Sequence, residues 1–290
     1  MSAVTRREEC SGEPVLFMAL ELSDKTWKVG TTIDPSQRAR TKNVPGGDLE
    51  ALRDEIVRAK RRFGLAEETQ VVSCYEAGRE GFWIHRWLES EGIINAVVDP
   101  ASIEVNRRKR RAKTDRLDVF KLVSNLMRWW AGEEKVWSVV VVPSMRDEDA
   151  RHFHRERETL KKERVAHINR IKCLLKLHGI CLKRIEEDFV KQLGELRMRD
   201  GSALPPQFRQ RLEREHHRLA FVDEQIKILA RQRSEALRRC TDERVAKVSK
   251  LTQLRGTGEI GSWIVVMELF AWRHFGNRRQ LASLVGLTGT

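Results

Sequence analysis

Asp115 and Asp118 stand three residues apart behind a run of six cations: Arg107, Arg108, Lys109, Arg110, Arg111 and Lys113. On a helix, that spacing puts both carboxylates on one face. Paired hard oxygen ligands suit a divalent cation of the Mg²⁺ or Mn²⁺ class rather than zinc. The basic run beside them suits a polyanion, so the stretch could hold metal and a nucleic-acid backbone together. The same residues also fit a solvated helix start, with Thr114 or Asp115 as N-cap and acids in the first turn. Which reading holds depends on whether further acids reach the same place from other elements.

Those elements can be read from the hydrophobic pattern. Val15–Leu22 is a nearly continuous apolar run, the mark of a strand buried on both faces. Thr26–Ile33 follows at hairpin distance, and Gln37–Asn43 predicts a third strand before a turn at Pro45-Gly46-Gly47. Asp48 caps a helix reaching about Phe63, with Leu49, Leu52 and Ile56 on one stripe. Val71–Tyr75 reads as a strand, Gly81–Leu88 as the start of a helix, and Ile93–Val98 as another strand. A helix over Asp115–Trp130 follows the basic run. Three strands, then alternating helices and strands, match a ribonuclease H-like fold, an α/β mixed sheet whose first and fourth strands lie side by side at the centre. Glu21 stands near the end of the first strand and Glu76 ends the fourth. With Asp115 and Asp118, four carboxylates from three elements would then meet at one sheet edge. Such crowding is tolerable when divalent metal neutralises it, and two metal ions can serve phosphoryl transfer.

The whole composition points the same way. A formal charge of +13 favours a nucleic-acid partner over an acidic small molecule. No apolar run approaches a membrane span, and Val136–Val142 is only strand-sized. The polar start, Met1–Pro14, does not read as a secretory signal. Five cysteines at irregular spacing fit reduced thiols in a cytoplasmic setting. The expected partner is a nucleic acid, with no membrane.

Three short motifs resemble a known family. Glu21-Leu22-Ser23-Asp24-Lys25-Thr26 resembles its first acidic motif, and Tyr75-Glu76-Ala77-Gly78 its second. Lys113-Thr114-Asp115-Arg116-Leu117-Asp118 resembles its third and most specific, Lys-Thr-Asp-x-x-Asp. The family is that of the DEDD transposases of insertion sequence family 110, whose N-terminal domain is similar to the Holliday-junction resolvase RuvC. The resemblance implies a RuvC-like ribonuclease H fold and a metal-dependent recombinase guided by a structured bridge RNA. It also implies Mg²⁺, or Mn²⁺, held by Glu21, Glu76, Asp115 and Asp118. The family usually begins this set with Asp, so Glu21 carries one extra methylene. Asp24 lies at an odd offset, which on a regular strand points it to the opposite face.

Three domains are expected: a catalytic domain over 1–145, a helical coiled-coil linker and assembly region over 146–245, and the start of a C-terminal transposase domain over 246–290. In the linker, Phe153, Leu160, Ile168, Ile171, Leu175 and His178 trace one amphipathic stripe. Leu212, Leu219, Val222, Ile226 and Leu229 trace a second with coiled-coil rhythm on a helix from Pro206 to about Cys240. The two helices pair within the chain or between subunits, and assembly into a homodimer or homotetramer through this region is the favoured reading. Cys173, His178 and Cys181 fit no standard zinc spacing and read as buried thiols and a capping histidine. His152, His154, His216 and His217 read as helix-surface residues. Trp129 and Trp130 read as core or interface rather than base-stacking rings.

Leu251–Phe270 reads as helix, turn and helix. Its turn, with Arg255, Gly256 and Gly258, resembles a helix–hairpin–helix motif able to contact a phosphate through backbone N–H groups. Arg273, Arg278 and Arg279 are expected on a second basic helix, with Phe275 and Leu281 facing the core. Gly286–Thr290 resembles the start of a stretch that leads, in the family, to a Ser-Gly motif with the implied nucleophilic serine. Neither Ser262 nor Ser283 matches it, so no residue of this chain takes that role and a truncated form or fragment is expected. Three functions are therefore open: an RNA-guided recombinase, a non-catalytic RNA- or DNA-binding oligomeric remnant, and a RuvC-like structure-selective nuclease.

Overall fold

The computed structural model describes residues 14–79, 81–103, 115–133, 135–240 and 242–287, with backbone alone at 115–118. The chain divides into two compact units, Met1–Val142 and Pro143–Thr290.

The first unit is built on five strands: β1 (Leu16–Glu21), β2 (Thr26–Thr32), β3 (Arg40–Pro45), β4 (Val71–Glu76) and β5 (Ile94–Val98). Their order across the sheet is β3-β2-β1-β4-β5. β2 runs antiparallel to β1 and β3, while β4 runs parallel to β1 and β5. Helices α1 (Leu49–Arg62), α2 (Trp83–Ser90) and α3 (Asp115–Trp130) complete the mixed α/β architecture. β1 lies at the centre and is apolar on both faces. Leu16, Met18 and Leu20 join one core with Leu52 and Ile56 of α1 and Ile84 and Leu88 of α2. Phe17 and Ala19 join the other, with Val119, Leu122 and Leu126 of α3. Trp129 and Trp130 belong to this second core. Val139 bridges Val98, the hydrogen bond from Val140 N–H to the Val97 carbonyl measures 2.7 Å, and no longer strand forms there among the described residues.

Two expected boundaries move. β3 begins at Arg40 rather than Gln37, because a turn intervenes: the Asp34 side chain accepts from the Ser36 amide at 2.8 Å and the Asp34 carbonyl from the Gln37 amide. α2 begins at Trp83, because Gly81 sits at φ +69° and cannot open a right-handed helix. Asp48 caps α1 as expected, its side chain accepting from the Ala51 amide at 2.9 Å.

The second unit is helical. α4 (Met145–Lys176) and α6 (Pro206–Arg239) flank the short α5 (Phe189–Gln192), and α7 (Glu243–Leu251), α8 (Glu259–Val265) and α9 (Arg278–Leu284) follow. α4 and α6 pair with each other inside the chain. Ile171 and Leu175 share a core with Leu212 and Leu219, closed off by Ile180, Phe189 and Leu193. Ion pairs between Arg164 and Asp223 and between Arg170 and Glu215 cross the same pair. Intramolecular pairing thus occupies the apolar stripes that the favoured assembly reading had open to another subunit. A smaller core gathers Val245, Val248, Trp263, Val266 and Met267.

Several expectations for this unit are corrected. His154 and His216 are buried, because each meets a partner from a distant segment: Glu268 for His154, and Phe189 with the Glu186 carbonyl for His216. Cys173 and Cys181 are exposed thiols: Cys173 lies off the stripe of α4 that buries Ile171, Leu174 and Leu175, and Cys181 lies in the loop after that helix. His178 stacks on Phe208 at 4.2 Å. Arg273 precedes α9 in an irregular segment and stacks on Trp272, and Leu281 is only half-buried.

Candidate metal and nucleic-acid site

Glu21 is the last residue of β1 and Glu76 the last of β4. The parallel register pairs Ala19 with Cys74 and Leu20 with Tyr75. One further step brings Glu21 level with Glu76. Strand alternation puts Glu21 on the face of Phe17 and Ala19, and Glu76 on the face of Val72 and Cys74. Both acids therefore end their strands on the face that α3 covers. Neighbouring strands lie about 4.8 Å apart, so carboxylates at one level can reach a common cation. Glu21 is half-buried and Glu76 exposed, which leaves the edge open to a ligand.

α3 is seated by a close approach. A Cβ at Gly30 would come within 2.2 Å of Val119 Cγ1, so only glycine lets the helix settle here. Gly30 pairs with Ala19, two residues short of Glu21. On β4, the Cys74 thiol lies 3.8 Å from the Leu122 carbonyl, two residues short of Glu76. Burial pushes that thiol's pKa well up, so Cys74 stays protonated and packs as an apolar side chain. The first turn of α3, with Asp115 and Asp118 in its backbone, adjoins these contacts in sequence. Arg107, Arg108, Lys109, Arg110, Arg111 and Lys113 lie outside the described residues, as do the side chains of Asp115 and Asp118. Among the described residues, no three His, Cys, Asp or Glu side chains gather as a metal site. Of the four acids singled out, Glu21 and Glu76 are the pair with described side chains.

The loops beside the two strand ends are tied together. Asp24 in the β1–β2 turn pairs with Arg79 after β4 at 2.5 Å, both largely exposed. Asp24 thus has a cation of its own. The Ser23 hydroxyl accepts from the Thr26 amide at 3.2 Å, which fixes the same turn.

In the second unit, Gly256 takes φ +85° between α7 and α8, and Gly258 is the N-cap of α8 without a side-chain bond. Thr257 Oγ1 donates to the carbonyls of Leu251 and Leu254, closing the C-terminal end of α7. Arg255, Gly256 and Gly258 are all exposed on this turn. Ser262 is buried.

A charged cluster that the sequence pattern does not reveal lies deeper in this unit. Glu268 follows α8 in a wider turn of helix over Val266–Phe270. Its carboxylate meets Arg151 at 3.1 Å, His154 at 2.8 Å and Arg155 at 2.8 Å, all from α4. Burial alone would raise its pKa; hydrogen bonds from His154 and Arg155 and the charges of both arginines outweigh that and hold it at about 2. Glu215, buried on α6, is likewise ringed by His167, Arg170 and Arg218. The one signal in the sequence is the i, i+3, i+4 spacing of Arg151, His154 and Arg155 on one helix face.

Among the described residues no helix is long and apolar enough to cross a membrane. No family model matches the chain. Two curated proteins are similar to it. One, "Putative transposase y4rJ" of Sinorhizobium fredii, is 37% identical over 289 residues, covering 95% of this chain and 72% of that protein. The other, "Transposase for insertion sequence element IS1533" of Leptospira borgpetersenii, is 30% identical over 95 residues, covering 33% of this chain and 26% of that protein.

Proposed function

Since this chain belongs to the family of insertion-sequence transposases, we propose that it cuts and exchanges DNA strands through a metal site held by Glu21, Glu76, Asp115 and Asp118. The observation that carries the reading is the level pair Glu21 and Glu76 on adjacent parallel strands, on the face covered by the helix whose first turn includes Asp115 and Asp118. The donor set fits hard divalent cations: it is all carboxylate, and it lacks the thiols and imidazoles that select zinc. When bound, two Mg²⁺ or Mn²⁺ ions would polarise the scissile phosphate and stabilise the attacking and leaving oxygens.

The chain's own residues then have separate tasks. Glu21 and Glu76 fix the strand side of the site, since strands in a sheet core move little. Asp115 and Asp118 close it from the helix side, and Gly30 sets how near that helix comes. Arg107, Arg108, Lys109, Arg110, Arg111 and Lys113 grip the DNA backbone beside the acids. Arg255 with the Gly256 and Gly258 amides takes hold of a second phosphate.

The finer reading is a RuvC-like ribonuclease H fold of insertion sequence family 110, guided by a structured RNA and assembled as a homodimer or homotetramer through the outer surface of the helical region, whose inner stripes cover each other. The strand order and the Lys113–Asp118 motif support the family; the net charge of +13 supports a nucleic-acid complex.

The test is cleavage of labelled DNA carrying the element ends, with and without Mg²⁺. Cleavage that needs the metal and disappears in Asp115→Ala is expected. Equal cleavage by the variant, or activity in excess chelator, would reject the acid cluster as the cutting site.

A further inference from the structure

Resting on the reading that this chain acts on DNA, we propose that the outer edge of its sheet is a second phosphate track, in which Arg38, Arg40 and Lys42 hold the backbone of one DNA strand. β3 is the edge strand. Together with the residues just before it and Arg62 of α1, it walls an open cleft of about 680 Å³ lined by residues 37–42 and Arg62. Arg40 and Lys42 are two residues apart on a strand, hence on one face and about 6.8 Å apart along it. That repeat is close to the separation of successive phosphates along a nucleic-acid strand. Arg38, which precedes the strand, lines the same cleft, and its guanidinium lies 4.7 Å from the centre of the Phe120 ring.

Charge distinguishes this cleft from an ordinary surface. Among the described residues, Arg38, Arg40 and Lys42 face no carboxylate within ion-pair distance, whereas Arg62 is held at 3.2 Å by the buried Glu55. Three unneutralised cations converging on a concavity repel one another, and a polyanion relieves that cost. An edge strand also leaves backbone N–H groups unpaired on its outer side, and phosphates accept from such donors. A lysine on an edge can serve only to discourage edge-to-edge pairing; that role does not require the cations to share a cleft. β2 separates this track from β1, so it lies about 10 Å across the sheet from the strand bearing Glu21. It is separate in sequence from the basic run at 107–113.

The experiment is a salt series of DNA binding by the full chain in chelator, so that the result does not depend on the metal site. Duplex and single-stranded DNA are compared with RNA of matched length. In R40Q/K42Q, DNA affinity should fall roughly tenfold and the slope of log affinity against log salt should drop by about 2, one for each phosphate no longer neutralised. R40K/K42R should retain binding. Unchanged affinity and slope in R40Q/K42Q would overturn the track, as would an equal fall in R40K/K42R, which would trace the effect to a damaged edge. A larger fall for RNA than for DNA would overturn its assignment to DNA. Failure of the Asp115→Ala cleavage test alongside a reduced salt slope would leave the track standing and remove only the metal chemistry.

Discussion

Two groups of acids, one in each unit, show opposite ways of handling negative charge. Glu268 is drawn from far along the chain into a ring of Arg151, His154 and Arg155, so its carboxylate is neutralised by the protein itself. Glu21 and Glu76 end adjacent strands at one level on an open edge. Glu76 there faces no cation among the described residues. The first arrangement is complete and holds α4 against the segment after α8. The second brings acids together, which costs stability unless a cation is added. Glu268 takes its countercharge from the chain and is structural; the site proposed at the strand ends would take a cation from outside.

That contrast can be broken most directly at Glu76. Glu76→Gln should reduce metal-dependent DNA cleavage by more than the roughly 10–100-fold that loss of an outer-shell partner costs a metal site. In metal-free buffer it should leave unfolding stability unchanged or slightly raised, because a repulsion is removed. A stability loss with cleavage intact would make Glu76 a structural acid like Glu268.

Glu268→Gln should do the reverse. Removing the carboxylate leaves Arg151 and His154 buried without their counterion, at a cost of about 2–3 kcal/mol, toward the low side for a buried pair because a quarter of the carboxylate's surface remains exposed. Denaturant titration would measure it, with metal binding unaffected. The pH dependence follows from the lowered pKa. The folded value, about 2, is below that of the unfolded chain. The stabilisation is therefore fully present above the ordinary carboxylate range and is lost as pH falls from there through about 2. The variant should lack that part of the acid dependence.

Gly30→Ala should come next. Its Cβ would force Val119 and the start of α3 away from the sheet, at a cost of about 1–3 kcal/mol. If the helix start completes the metal site, metal affinity should fall with stability, although Gly30 bears no ligand. The smallest effect is expected from Arg79→Ala. Its pair with Asp24 is exposed on both sides, so the loss should be below about 1 kcal/mol by denaturant titration.

The first unit is far more legible in the sequence than the second. β1 and β4 are short apolar runs ending in an acid, and the buried-strand pattern is strongest at the centre of a sheet. β3 starts three residues later than its pattern predicts, because its edge position leaves Arg40 and Asn43 exposed and the apolar signal weak. The paired helices are visible as two stripes, but a stripe does not say which helix will cover it. Only the structure shows α4 and α6 covering each other. His154 reads as a surface residue because its neighbours on α4 are charged. Its partner Glu268 stands 114 residues away, a separation no local pattern records. The acid pair at the strand ends can be anticipated because strand order and parity fix it; the Glu268 ring cannot, because side-chain packing fixes it.

The central claim is that Glu21 and Glu76, with Asp115 and Asp118, form one cation site. Calorimetric titration of Mn²⁺ into the full chain and into Glu21→Gln/Glu76→Gln tests it without relying on activity. A saturable site in the parent chain that is lost in the double variant is the expected result. The same affinity and stoichiometry in both proteins would contradict it.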